Sequence, residues 1–136
     1  MFFYNLKLFL FAGAIAALFA FSGCSSVEVA QGKNLNGQKL IDGSGTIAHV
    51  NVQNDGFYFL KWPIAAGSTK VGTTEWVGED TVNVPTAVNI LTAKSNEMKG
   101  NAVVDVSSTR SSMMIPFPFP FLFYYKSVNV SGNVIK

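Results

Sequence analysis

Hydrophobic and polar positions along this chain fall into three regimes. Residues 8–21 form an uninterrupted apolar run. Residues 25–45 are polar and punctuated by Gly32, Gly37, Gly43 and Gly45; Val27 and Val29 suit a short strand, but the stretch reads mainly as a tether. Ordered periodicity begins after that. Ala48, Val50 and Val52 share one face of residues 46–53 while His49, Asn51 and Gln53 share the other, the period of two that a half-buried strand requires. Asn54-Asp55-Gly56 tolerates positive φ and reads as a turn. Residues 57–62 then read as a returning strand ended by Pro63. Together these segments predict a hairpin.

Residues 63–80 carry Gly67, Gly72 and Gly78 among polar Ser and Thr, and predict an irregular connection. Val84, Ala87, Val88, Leu91 and Met98 recur at three- and four-residue intervals, the signature of an amphipathic helix of about 15 residues. Asp80 or Asn83 is available as its cap. Pro85 falls in the first turn, where a missing N–H costs nothing. Gly100 is placed as the stop, with Lys94 and Lys99 near the negative end of the dipole. Ala102, Val104 and Val106 alternate through a further strand, residues 107–112 read as a polar loop, and a last strand spans 121–135, with Ser131-Gly132 as a candidate break. No repeat of 20–50 residues is present. The expected fold class is α+β: an antiparallel sheet in β-β-α-β-β order over residues 46–136, with one helix packed on one face.

The apolar run gives the N-terminus its meaning. A short start carrying Lys7, the run itself, and small residues at Ser22-Gly23 before Cys24 have the layout of a secretory signal. The run falls short of the roughly 20 apolar residues that span a bilayer comfortably. Phe21-Ser22-Gly23-Cys24 resembles the bacterial lipobox, with Phe21 where Leu is usual. The resemblance implies diacylglycerol on the Cys24 thiol, cleavage that removes residues 1–23 as a signal peptide, and acylation of the new amino group by a palmitate-type chain. Residues 24–45 would then be a lipidated N-terminus and tether. The plainer alternative is an uncleaved anchor helix whose cysteine is incidental. At about 0.8 kcal/mol per buried CH₂, two or three acyl chains hold firmly where one does not. Ser25 stands where Asp would favour inner-membrane retention in enterobacterial-type sorting, which leans the localisation toward the outer membrane of the cell envelope.

Composition narrows the function. The chain has 136 residues, ten of them basic and eight acidic, so one ordinary domain is expected. Arg110 is the only arginine and the lysines are scattered. Phosphate-backbone binding needs clustered cations, so no nucleic-acid partner is expected. One cysteine excludes an intramolecular disulfide. With Cys24 lipidated, His49 alone cannot supply the three or four ligands of a zinc site; no metal or cofactor is expected, although an oxygen-only ion site stays open.

Catalytic constellations are thin. His49 with Asp55 or Asp105 and a serine is combinatorially available, but no Gly-x-Ser-x-Gly elbow supports it. A histidine on the polar face of a strand is the plainer reading. Glu79-Asp80 are neighbours whose side chains point apart, and acids before a helix suit its positive end. The unusual segment is residues 113–125. Pro116, Pro118 and Pro120 remove three N–H donors, so it cannot be a central strand and should be extended, near polyproline II or an edge. Phe117, Phe119 and Phe121 fall on one side of it. They suit either core or subunit packing, or an exposed patch for a partner or membrane.

The second half also carries a resemblance. Gly100-Asn101-Ala102-Val103-Val104-Asp105-Val106 after the helix, and Val128-Asn129-Val130-Ser131-Gly132-Asn133-Val134 at the end, resemble small α+β domains of envelope lipoproteins. These are the tRNA-associated-locus-like, heavy-metal-binding-like and stress-sensor lipoprotein domains. The resemblance covers about residues 84–136 and implies the fold. It carries over no site, because the sensors' disulfides and any Cys/His cluster are missing here. The expected function is a non-enzymatic, membrane-anchored lipoprotein acting through protein, membrane or cell-wall contacts, with a homo-oligomer among the partners. The rival is a small envelope enzyme or small-ligand binder with a pocket near His49.

Overall fold

The computed structural model describes residues 23–31, 45–116 and 121–136. Its centre is a pair of long antiparallel strands, β2 (Thr46–Phe59) and β6 (Phe123–Ile135), paired along their whole length. Every second residue of β2 from Ala48 to Tyr58 is buried, and Val128, Val130 and Val134 of β6 meet them on the same side. β5 (Ala102–Ile115) pairs with the outer edge of β6. The other edge of β2 is shared by two strands placed end to end. β1 (Ser25–Gln31) lies against residues 48–54, and β3 (Trp62–Gly67) against residues 56–59, with β4 (Thr74–Trp76) outside β3. The result is an α+β fold with a six-stranded antiparallel sheet and one helix, the class expected from the sequence.

The helix, α1 (Val84–Glu97), follows its local signals closely. The Asn83 side chain accepts from the Thr86 N–H at 2.8 Å, and Pro85 lies in the first turn. Thr86, Ala87, Ile90, Leu91 and Ser95 are buried over β2 and β6, while Val88 and Met98 are half-buried at the margin. Gly100 is required for a different reason from the one expected. The left-handed residue after the helix is Lys99, at φ 60. Gly100 lies where a Cβ would meet Val134 Cγ1 at 2.3 Å and Ser95 Oγ at 2.7 Å.

Four expectations are corrected. The first concerns the tether: its opening residues, Ser25–Gln31, are a strand in register with β2, because Val27 and Val29 pair with Val52 and Val50 and join the core. Residues 32–44 lie outside the described residues. The second concerns Asn54-Asp55-Gly56, which is no turn. Asn54 is fully buried and donates to the Thr81 carbonyl at 2.7 Å, and Gly56 is glycine because a Cβ would sit 2.8 Å from the Ala65 oxygen. The hairpin turns instead at Leu60-Lys61, with Leu60 at φ 55, and Pro63 enters β3 opposite a register shift, where a bulge tolerates it.

Third, the polar residues 107–112 continue β5 rather than forming a loop. A bulge between Val104 and Ser107, with Asp105 at φ 53, slips the pattern by one residue. That slip brings Val103 and Val106, rather than Val104 and Val106, to bracket Gly132, whose missing Cβ leaves room for them. β6 therefore runs unbroken through Ser131-Gly132. Finally, β4 gives order to a segment expected to be irregular. Among the described residues no helix is long and apolar enough to cross a membrane.

Candidate functional site

The helix covers one face of the sheet, and the other face is where the described functional candidates gather. Strand alternation fixes which side chains lie there. From β2 come His49, Asn51, Gln53, Asp55, Phe57 and Phe59, and their register partners on β6 are Asn133, Ser131, Asn129, Ser127, Tyr125 and Phe123. One end of this face is therefore amide and hydroxyl, and the other aromatic. The aromatic end continues across the sheet. Phe59 and Phe123 are flanked by Trp62 of β3 and Ile115 of β5, and Phe57 and Tyr125 by Ala65 and then Trp76 on one side and Met113 on the other.

Within this end, Phe57 and Tyr125 meet with ring centroids 5.2 Å apart, and Phe59 and Phe123 at 5.5 Å, both tilted near 60°. Such geometry contributes beyond area burial. The rings remain only half-buried, and Trp62 is 76% exposed.

Cys24 sits at the boundary between the two halves. Its carbonyl accepts from the Asp55 N–H at 3.0 Å, which extends the β1 register by one residue. Ser25 is buried on the helix side, so alternation turns the Cys24 side chain to the opposite face, where it is exposed. Its neighbours hold it firmly. The Ser25 hydroxyl donates to the Lys70 carbonyl at 3.0 Å, the Gly72 N–H donates to the Ser25 carbonyl at 2.9 Å, and Thr74 Oγ1 donates to the Gly23 carbonyl.

Beside Cys24, Tyr125 donates to Asp55 Oδ2 at 2.7 Å. Burial, and then the bond to Asp55 and its negative charge, push the Tyr125 phenol up to about 12. On the helix side Tyr58 donates to Asp80 Oδ1, and burial followed by this bond raises its phenol further still. Asp80 thus serves Tyr58 with its carboxylate. It serves the helix start only through its carbonyl, which accepts from Asn83 Nδ2 at 2.7 Å.

The polar half contains His49. Its Nδ1 lies 2.8 Å from Asn133 Oδ1, and Asn133 Nδ2 donates to Asp105 Oδ2 at 3.1 Å, so an amide links His49 to Asp105. Asp55 is six residues along β2 on the same face, about 20 Å from His49 at strand spacing. His49, Asp55 and Asp105 therefore do not converge. Cys24, level with Asp55, is equally remote from the imidazole. His49, Asn51, Ser131 and Thr109 line a shallow polar depression open to water. Among the described residues no three His, Cys, Asp or Glu side chains are grouped to hold a metal.

Of the proline-flanked phenylalanines, Phe121 is 66% exposed at φ 70 beside the start of β6, so it is not a core residue. Phe117 and Phe119 lie outside the described residues. Sequence reasoning missed the larger aromatic set of Phe57, Phe59, Trp62, Trp76, Phe123 and Tyr125. Its signal was present in the alternation of Phe57 with Phe59 and of Phe123 with Tyr125. The misplaced hairpin turn hid that these pairs face each other across neighbouring strands.

The molecule is thus an α+β protein whose antiparallel sheet is, among the described residues, covered by a helix on one face, with an exposed cysteine at the midline of the other. Comparison with protein-family models, curated proteins and solved structures finds no match.

Proposed function

We propose that this chain is a non-enzymatic lipoprotein of the bacterial cell envelope, held to a membrane, more readily the outer one, by lipid on Cys24. The observation that carries the reading is the apolar run over residues 8–21 ending in Phe21-Ser22-Gly23-Cys24, a tetrapeptide of lipobox form. The exposed thiol and the entry of the chain into the sheet at Ser25 suit it, since a folded domain begins directly after the acceptor residue. The small α+β fold also suits the resemblance of residues 84–136 to envelope lipoprotein domains.

The rival reading, an enzyme or ligand binder near His49, draws on the His49–Asn133–Asp105 chain. It is the weaker one. The imidazole lies on a flat, wet surface rather than in a cleft that converges polar groups and excludes water.

Metabolic labelling with a fatty acid tests the proposal. Wild-type protein should take up label and lose residues 1–23, and Cys24→Ala should take up none and keep them. A wild-type protein that retains residues 1–23 and stays unlabelled would contradict it.

A further inference from the structure

We propose that the aromatic end of the sheet face opposite the helix, where Trp62, Trp76, Met113 and Phe121 are exposed, rests in the interfacial layer of a lipid bilayer, positioned there by the lipid on Cys24; this rests on the lipoprotein reading above. Two observations of separate origin meet on one surface. The sequence motif selects Cys24 as the acceptor, and strand register independently gathers Phe57, Phe59, Phe123 and Tyr125 beside it. Cys24 lies level with Asp55, so the Phe59–Phe123 row is four residues farther along the strand, about 13 Å away.

The anchor has no slack. A lipoprotein with a flexible linker can stand off its membrane in any orientation. Here the residue after Cys24 is already hydrogen-bonded into the fold, through the Ser25 hydroxyl to Lys70 and the Ser25 carbonyl to the Gly72 N–H. Acyl chains on this thiol leave from this sheet face itself, so that face is held against the bilayer surface.

Side-chain chemistry at this end matches the interfacial layer rather than water. Among the described residues, most of the large exposed hydrophobics fall there: Leu60 and Trp62 at the β2–β3 turn, Trp76 and Val77 at β4, and Met113, Met114 and Phe121 near the β5–β6 connection; Val71, in the β3–β4 connection beside Ser25, does not. Val106, at the β5 bulge, is at the opposite end. Trp and Tyr place an apolar ring beside a polar N–H or O–H, which suits the headgroup boundary. Contiguous exposed apolar surface of this kind marks a contact site. The amide and hydroxyl half of the face, beyond Cys24, stays in water.

The chain has two tryptophans, and both lie at this end. Full-length lipidated protein carrying Trp76→Phe leaves Trp62 as the reporter, and Trp62→Phe leaves Trp76; Trp62 is exposed enough for replacement without unfolding. Each protein is reconstituted into phosphatidylcholine vesicles with and without bromine on the upper acyl carbons, and its lipidation is read by intact mass. Trp62 should show blue-shifted emission, lose most of it to the brominated lipid, and be shielded from aqueous iodide. A lipidated protein whose Trp62 stays iodide-accessible and unquenched by bromine overturns the face while leaving the anchor intact. Shielding from both quenchers also overturns it, by pointing to a second copy of the chain. A protein carrying no lipid at Cys24 overturns the lipoprotein reading, and with it the reason for this face to meet a bilayer.

Discussion

The two faces of β2 and β6 share one backbone and differ in nearly everything else. Toward the helix stand Ala48, Val50, Val52, Val128, Val130 and Val134, each at most 1% exposed and sealed by Ala87, Ile90 and Leu91. Away from it the same strands present His49, Asn51 and Gln53 at one end and Phe57 and Phe59 at the other, all half-buried. β-branched side chains pack densely on a pleated surface under a helix. Amides and large rings on the face away from the helix do not build such a core. The first face accounts for folding, and the second is the one on which the proposed membrane contact is placed.

The largest test of this contrast is Leu91→Ala, which removes a buried side chain from the helix side and should cost about 2–5 kcal/mol in a denaturant titration. Equal tolerance of Leu91→Ala and Trp62→Ser would erase the distinction between the faces. Next comes Gly56→Ala. A Cβ there meets backbone at 2.8 and 2.9 Å, so overpacking should cost about 1–3 kcal/mol. A neutral result would restore the turn that the sequence suggested at Asn54-Asp55-Gly56.

The phenols give a smaller, pH-dependent effect, one on each face. Tyr125 titrates near 12 in the folded chain, above the value of about 10 for an unperturbed tyrosine. The folded state therefore favours the protonated phenol. Its contribution to stability is complete below about pH 10 and is lost as pH rises through 12. Tyr125→Phe should flatten part of the alkaline fall in the denaturation midpoint, and absorbance titration of wild-type protein should show late-ionising phenols. At the small end, Trp62→Ser and Lys94→Ala should each change stability by roughly 0.5 kcal/mol or less. Trp62 is mostly exposed, and the Lys94–Glu97 pair at 2.9 Å is a surface ion pair.

Local rules carried well where one element decided the outcome. Asn83, Pro85 and the spacing of Ala87 and Leu91 marked α1 closely, because capping and helical period are short-range properties. The alternation of Ala48, Val50 and Val52 identified the core side of β2 for the same reason. Failures came where a distant partner decided. Asn54-Asp55-Gly56 has turn chemistry, yet Thr81 and Ala65, brought in by tertiary pairing, make a strand the better use of it. Ser107 to Ser112 look like loop residues, and the edge of β6 gives them hydrogen bonds. The proposed acceptor Cys24 could be named from the sequence because its signal is contiguous. The aromatic surface could not, because it is assembled from four strands and becomes visible only once their register is known.

The account rests most heavily on Cys24, and mass spectrometry of the protein extracted from membranes tests it most directly. The expected species begins at Cys24 and carries the mass of a diacylglyceryl group on that residue, with a further acyl chain where the amino group is modified. A protein that still begins at Met1 with an unmodified Cys24 thiol would contradict the account.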